Sequence, residues 1–106
     1  MNDLAPSALK EYLDTINTSP VMLDVREAWE FELVHLPGSV LLPLGNLTAA
    51  LTDLDPQEEI VVICHHGVRS MHAALFLERA GFERVINLKG GIDAWARDLD
   101  PHMTVY

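Results

Sequence analysis

The sequence has little cysteine, little positive charge and no long apolar run. Cys64 is the single cysteine among 106 residues, so no internal disulfide can form and we expect a reducing compartment. Seven basic residues against sixteen acidic ones give a net charge of −9, which argues against nucleic acid or an anionic membrane as a partner. No apolar stretch approaches the ~20 residues of a membrane span. The first residues have neither a basic region nor an apolar segment, so we expect no secretion signal and a cytoplasmic location.

The length predicts one domain, residues 1–106, with a core of ordinary size. Apolar patterns predict strands at residues 21–25, 39–42, 60–63 and 85–88. Helices are expected from Pro6 onward and at residues 27–33, 44–54, 70–80 and 92–99. This alternation of strands and helices predicts a parallel, doubly wound α/β sheet.

The only cysteine follows four apolar residues, 60–63, and precedes a glycine, an arginine and an apolar helix. This order predicts a buried strand, a tight loop and a helix N-terminus whose main-chain N–H groups point at the thiol. Such a setting favours the thiolate, and Arg69 adds a permanent charge with a planar fork suited to oxyanions. A buried, inert cysteine is the alternative, but it gives Gly67 and Arg69 no packing role.

Polar residues follow three of the predicted strands directly. Asp24 and Arg26 follow the first, residues 64–69 follow the third, and residues 89–91 follow the last. The carboxyl ends of parallel strands meet at one edge of a sheet, so these residues should form one site. Three of the seven basic residues, Arg26, Arg69 and Lys89, would then surround one thiol, which suits a small anion.

The spacing between the cysteine and the arginine separates two kinds of chemistry. Cysteine phosphatases place five residues in this interval, whereas this chain has four: His65, His66, Gly67 and Val68. The smaller ring of donors leaves less room for a tetrahedral phosphoryl group, yet it can hold one extra sulfur atom. Ile63 also stands where those phosphatases usually have histidine.

Four segments together resemble the single-domain rhodaneses, the thiosulfate sulfurtransferase family. They are residues 23–27 (LDVRE), residues 35–39 (HLPGS), residues 64–70 (CHHGVRS) and the glycines and apolar residues of 81–95. Val34 departs from the family's usual glycine, and His65 and His66 replace the more frequent arginine and serine, which leaves the sulfur donor open. The resemblance implies a rhodanese-like doubly wound sheet of about five mostly parallel strands with helices on both faces.

The resemblance also implies a reaction in two steps on Cys64. The thiolate takes the outer sulfur of thiosulfate or of a persulfide donor, and a nucleophile then removes it. The acceptor is cyanide in an assay, or a thiol, including a cysteine of a partner protein. The resemblance implies no cofactor. The active loop comprises Cys64, His65, His66, Gly67, Val68, Arg69 and Ser70.

Several roles stay open at this level. Arg69 either binds the anionic donor or braces the loop, and His65 and His66 either transfer protons or line the pocket mouth. We expect Asp24 and Arg26 to form a buried network that supports the site, and His35 to hold its turn by hydrogen bonds. Adjacent histidines on a tight loop converge poorly on one ion, so we predict no metal on Cys64, His65, His66 and His72.

Three other functions are also compatible with parts of the sequence. A non-catalytic binding module or sulfur carrier of the same fold is one, although such modules commonly lack the cysteine. A cysteine phosphatase or arsenate reductase is another, and the short loop argues against it. The third is a peroxide sensor, which the absence of a second, resolving cysteine weakens.

Overall fold

The computed structural model describes residues 1–106. The chain alternates strands and helices in the order β1 (Asn2–Leu4), α1 (Pro6–Thr15), β2 (Val21–Asp24), α2 (Ala28–Leu33), β3 (Val40–Leu41), α3 (Leu47–Ala50), β4 (Ile60–Ile63), α4 (Val68–Arg79), β5 (Val85–Leu88) and α5 (Gly91–Leu99). One sheet of five strands has the order β1-β5-β4-β2-β3, and every neighbouring pair is parallel. The predicted α/β sheet of about five parallel strands is confirmed. No helix has both the length and the apolar composition needed to span a membrane.

The central strand β4 is buried on both sides because its side chains alternate between two apolar clusters. Ile60 and Val62 belong to the cluster covered by α3 and α4, while Val61 and Ile63 belong to the cluster covered by α1 and α5. A parallel strand covered by helices on both faces is expected to be apolar throughout. Cys64 continues the alternation into the first cluster, which places the thiol on the α4 side of the sheet.

The edge strand β1 is not among the predicted strands. Its residues pair with β5 in the register Asn2 to Ile86 and Leu4 to Leu88, and the N–H of Lys89 donates to Leu4 O. Three largely exposed residues have no apolar alternation of their own, so only the pairing with β5 makes them a strand.

Two helical segments differ from the predicted boundaries. The segment at 44–54 is the short helix α3 between two 3₁₀ turns, Leu44–Asn46 and Leu51–Asp53. Helix α4 begins at Val68 and not at Ser70, so the last three residues of the predicted loop form the first turn of a helix. The open part of the loop is therefore only residues 64–67.

Candidate active site

The thiol of Cys64 lies just beyond the carboxyl end of β4 and is held by the loop that follows. The residue is 1% exposed. Its Sγ accepts a hydrogen bond from the N–H of Gly67 at 3.1 Å and lies 3.3 Å from the hydroxyl oxygen of Ser70. As a thiol, Cys64 donates to that oxygen; as a thiolate, it can accept from the hydroxyl instead. The thiol is buried, yet polar donors reach it.

The N-terminus of α4 supplies positive potential next to the sulfur. Gly67 caps the helix with φ +96°, a conformation that glycine adopts most readily. Val68, Arg69 and Ser70 form the first turn, and their N–H groups have no acceptor within the helix. Since the helix has 12 residues, its aligned peptide dipoles add a partial positive charge at this end.

A second helix N-terminus fixes the first two peptide groups of the loop. The N–H of Ile92 donates to Cys64 O at 2.8 Å, and the N–H of Asp93 donates to His65 O at 3.1 Å. This contact needs glycine at position 91, because a Cβ there would lie 2.3 Å from His65 O. The start of α5 therefore sets the direction in which the loop leaves β4.

The partly exposed side chain of Arg69 forms an ion pair with Glu30 of α2. Its Nη1 donates to Oε1 at 2.6 Å and its Nη2 donates to Oε2 at 2.9 Å. The hydrogen bonds from Arg69 lower the pKa of Glu30 to about 2, although burial opposes that shift. Each terminal amino group of the guanidinium donates one hydrogen bond to Glu30, so the pair connects the active loop to α2.

Arg26 and Asp24 form a second, fully buried pair beneath the first. Arg26 Nη2 donates to Asp24 Oδ2 at 2.7 Å, and its Nε also contacts that carboxylate. Arg26 further donates to the carbonyl oxygens of Glu30 and Val34 and to the hydroxyl of Tyr106. The Tyr106 hydroxyl donates in turn to Glu30 Oε2 at 2.6 Å, so the two ion pairs are one network.

Three contributors to this site lie outside the predicted set: Glu30, Tyr106 and Asn87. The spacing of Glu27 and Glu30 is that of a helix capping box, which indicates where α2 begins but not what Glu30 contacts. Asn87 lies buried on β5, and its Nδ2 donates to Gly67 O at 3.3 Å and to Asp3 Oδ1 at 2.9 Å. It is the one polar residue of an apolar strand, which indicates that it needs hydrogen-bond partners, but those partners lie 84 and 20 positions away.

The two loop histidines form part of a stack of rings at the edge of the site. The ring of His65 lies 3.8 Å from that of Tyr106 with 3° between the planes, and 3.8 Å from that of His66. Burial and the neighbouring His66 lower the pKa of His65, which favours the neutral ring. One ligand atom each of His65, His66 and Asp93 lies within 4.8 Å of the others, and Asp93 also accepts from Arg97 Nε. The expectation of no metal stays a prediction, and this group is where it can be tested.

His35 does not hold its own turn as predicted. Its Nδ1 contacts Phe31 O at 2.8 Å and its ring stacks on the ring of Phe31 at 3.9 Å. Both contacts run back to α2, because the exposed side chain lies over the last turn of that helix. The turn is held instead by Ser39, whose N–H and hydroxyl both donate to Leu36 O.

The three basic residues that were expected at the carboxyl edge of the sheet follow their strands there, but two of the three are neutralised. Arg26 and Arg69 do lie at the carboxyl edge of the sheet, but each is paired with a buried carboxylate. Lys89 follows β5, is exposed and forms no ion pair. The surface cavities lie elsewhere; the largest, about 370 Å³, is lined by residues such as Pro20, Glu59 and Arg84 at the amino ends of the strands.

Comparisons with known proteins agree with this geometry. The model of the family described as "Rhodanese-like domain" matches residues 5–98. The thiosulfate sulfurtransferase GlpE of Actinobacillus pleuropneumoniae serotype 3 is 32% identical, over 98% of this chain and 94% of that protein. The "Probable adenylyltransferase/sulfurtransferase MoeZ" of Mycobacterium tuberculosis is 35% identical over 97% of this chain, which spans only 26% of that protein. The crystal structure of a rhodanese-related protein from Thermoplasma volcanium aligns with this chain over the full length of both chains, with a TM-score of 0.83 and 26% identity.

Proposed function

Because the chain belongs to the rhodanese-like domain family, we propose that it is a sulfurtransferase that carries one sulfur atom on Cys64 as a persulfide. The observation that carries this proposal is the hydrogen bond from the Gly67 N–H to Sγ at the N-terminus of α4. A relative named as a thiosulfate sulfurtransferase, similar over almost its whole length, supports the same reaction type.

In the first step the thiolate of Cys64 attacks the outer sulfur of a small anionic donor, thiosulfate or a persulfide. A new S–S bond forms to Cys64, and the bond between the outer sulfur and the rest of the donor breaks. The electron pair of that bond leaves with sulfite or with a thiolate. The amides of the loop and the dipole of α4 stabilise the negative charge of the terminal sulfur, and the Ser70 hydroxyl is placed to donate to the thiolate.

In the second step a nucleophile takes the terminal sulfur and Cys64 leaves as a thiolate. The acceptor is a thiol, free or on a partner protein, and cyanide replaces it in an assay. Arg69 serves as the brace of the loop, because Glu30 occupies its guanidinium, and Asp24 and Arg26 support that brace from below. His65 and His66 line the mouth. The chemistry requires no cofactor, and we place it in the cytoplasm.

The test is intact-mass analysis of the protein before and after treatment with thiosulfate or an organic persulfide. We expect the mass of one sulfur atom to be added, and cyanide to remove it with release of thiocyanate. Because Cys64 is the only cysteine, the added sulfur has one possible site. The variant Cys64→Ser should gain nothing; equal loading or full turnover in that variant would contradict the proposal.

Phosphatase chemistry is the enzymatic alternative. It is disfavoured because the Glu30 carboxylate already neutralises the charge of Arg69, which a doubly charged phosphoryl group would need. Turnover of an aryl phosphate, without sulfur loading from any donor, would reverse this ranking.

A further inference from the structure

We propose that the site takes its sulfur from donors with a single negative charge, organic persulfides above all, in preference to the doubly charged thiosulfate. The inference rests on the proposed function and names its donor class. It follows from the charges around Cys64, which cancel one another almost completely.

The cation nearest to the loop is neutralised. Arg69 shares two short hydrogen bonds with Glu30, whose carboxylate is buried and receives a third hydrogen bond from Tyr106. The pair uses two of the five N–H donors of the guanidinium, and the negative charge of Glu30 largely cancels the positive charge that the other donors present to an incoming oxyanion. A sulfonate group that bound Arg69 would therefore also lie close to the buried Glu30 carboxylate, which repels it.

The other basic groups near the loop are also paired, uncharged or out of reach of a donor. Arg26 is fully buried against Asp24 and no donor can reach it. Burial favours the neutral ring of His65. Arg97 pairs with Asp93, which also lies 3.9 Å from His66 Nδ1. Lys89 alone is exposed and unpaired at this edge of the sheet.

What remains near the sulfur is the partial positive charge of two helix N-termini. Each is equivalent to roughly half an elementary charge. That is enough to stabilise the single charge on a persulfide sulfur, but it does not balance two charges on a donor. The chain as a whole carries −9, and this field repels a doubly charged donor twice as strongly as a singly charged one.

The transfer itself is the same for both donor classes. The Cys64 thiolate bonds to the outer sulfur, the donor's own bond to that sulfur breaks, and the electron pair leaves with the departing group. A persulfide donor loses a thiolate, a thiosulfonate loses a sulfinate and thiosulfate loses sulfite. Total charge is conserved in each case, so the donors differ in how they approach the site and not in the bonds exchanged.

Two donors separate charge from chemistry: thiosulfate and methanethiosulfonate. Both present a terminal sulfur on a tetrahedral sulfonyl centre, and a methyl group in the second replaces one charged oxygen. The measurement is kcat/KM for persulfide formation with each donor. The informative quantity is the ratio of the two values in wild type and in Glu30→Gln, because intrinsic differences in donor reactivity cancel between the two proteins.

We expect Glu30→Gln to raise the ratio of thiosulfate to methanethiosulfonate by at least about tenfold, because it uncovers one full charge beside the loop. The matched control is Glu32→Gln, which removes the same charge from an exposed position on the same helix and should leave the ratio unchanged. Circular dichroism checks that each variant is folded.

Wild-type protein alone gives a second test that does not depend on a variant. Added salt screens repulsion, so kcat/KM for thiosulfate should rise with ionic strength, and more steeply than for methanethiosulfonate. A fall with salt would mean that an uncovered cation attracts the donor and would overturn the inference. So would an unchanged ratio in folded Glu30→Gln, or a tenfold loss for thiosulfate alone in Lys89→Gln. Failure of both donors and of an organic persulfide to load Cys64 would instead overturn the proposed function.

Discussion

Arg69 and Glu30 are joined by two hydrogen bonds of 2.6 and 2.9 Å, which connect the first turn of α4 to the middle of α2. The pair has two consequences for the site. It holds the residue that closes the active loop in one position, and it removes the charge of that residue from the surroundings of Cys64. The sequence leaves Arg69 two roles, binding of the donor or bracing of the loop, and the ion pair favours the second.

The pH dependence of stability should report on this ion pair. The pKa of Glu30 falls from 4.5 to about 2 on folding, mainly through the hydrogen bonds from Arg69. The contribution of the pair is therefore complete above pH 4.5 and is lost as the pH falls towards about 2. The Arg69 side chain is 35% exposed, so we expect screening to reduce the contribution to about 2 kcal/mol.

Urea unfolding of wild type and Glu30→Gln across this pH range measures that contribution. The difference in free energy of unfolding should be largest near neutral pH and should narrow in acid. Glu32→Gln, on the same helix but exposed, should show no such narrowing. A constant difference between wild type and Glu30→Gln at all pH values would contradict the assignment.

The hydroxyl of Tyr106 should lose its proton only at high pH. Burial and its hydrogen bond to Glu30 raise its pKa from 10.0 to about 12. Since the folded-state value is the higher one, the stabilisation is present below pH 10 and disappears as the pH rises to about 12. Tyr106→Phe should cost about 1 kcal/mol near neutral pH. It should also remove the tyrosinate absorbance that develops last, whereas Tyr12→Phe should leave that late titration in place.

Gly91→Ala should damage the site far more than another glycine substitution with the same backbone conformation. At Gly38 the φ angle is +78° and a Cβ would meet no atom within 4 Å, so Gly38→Ala measures backbone strain alone, about 1 to 2 kcal/mol. At Gly91 the φ angle is +66°, but the Cβ would lie 2.3 Å from His65 O. We expect a larger loss of stability and slow persulfide formation in Gly91→Ala only. Equal losses in the two variants would rule out the contact with the loop.

Asn87→Ala tests whether a buried amide on β5 positions the loop. Without the hydrogen bond to Gly67 O, the Gly67 N–H should align less well with Sγ, and persulfide formation should slow by about tenfold. The control is Asp3→Ala, which removes the other partner of the same amide group at the exposed edge strand. Equal rate losses in both variants would indicate a general effect of destabilising the sheet edge.

The fold was largely predictable because its signals are local. Apolar runs such as Ile60–Ile63 belong to buried parallel strands, and Gly81 ends a helix in the usual way. Strand β1 was not predictable from its own residues. Asn2 becomes a strand residue because Ile86, 84 positions later, offers it a free edge, and such a partner is visible only once the sheet is assembled.

The site was predictable where the chemistry is contiguous in sequence and not where it is assembled from distant elements. Residues 64–70 form one contiguous motif that can be recognised from the sequence alone. Glu30 and Tyr106 complete the network, although they lie 39 and 37 positions away from Arg69 in the sequence. No pattern near either residue indicates which side chain it contacts. For the same reason the sequence predicted the pairing of Arg26 with Asp24, two positions away, but not the pairing of Arg69 with Glu30.

Backbone groups supply part of the polar surroundings of Cys64: the Gly67 N–H contacts its sulfur, and the start of α5 holds the carbonyl groups of Cys64 and His65. Backbone groups do not change when side chains are exchanged. We therefore expect that exchanges at His65, His66 and the 65%-exposed Val68 alter which donors approach, without removing the backbone contacts of Cys64. Binding of the transferred sulfur and selection of the donor would then depend on different parts of one short segment. Libraries randomised at these three positions should yield new donor preferences while keeping the ability to carry sulfur.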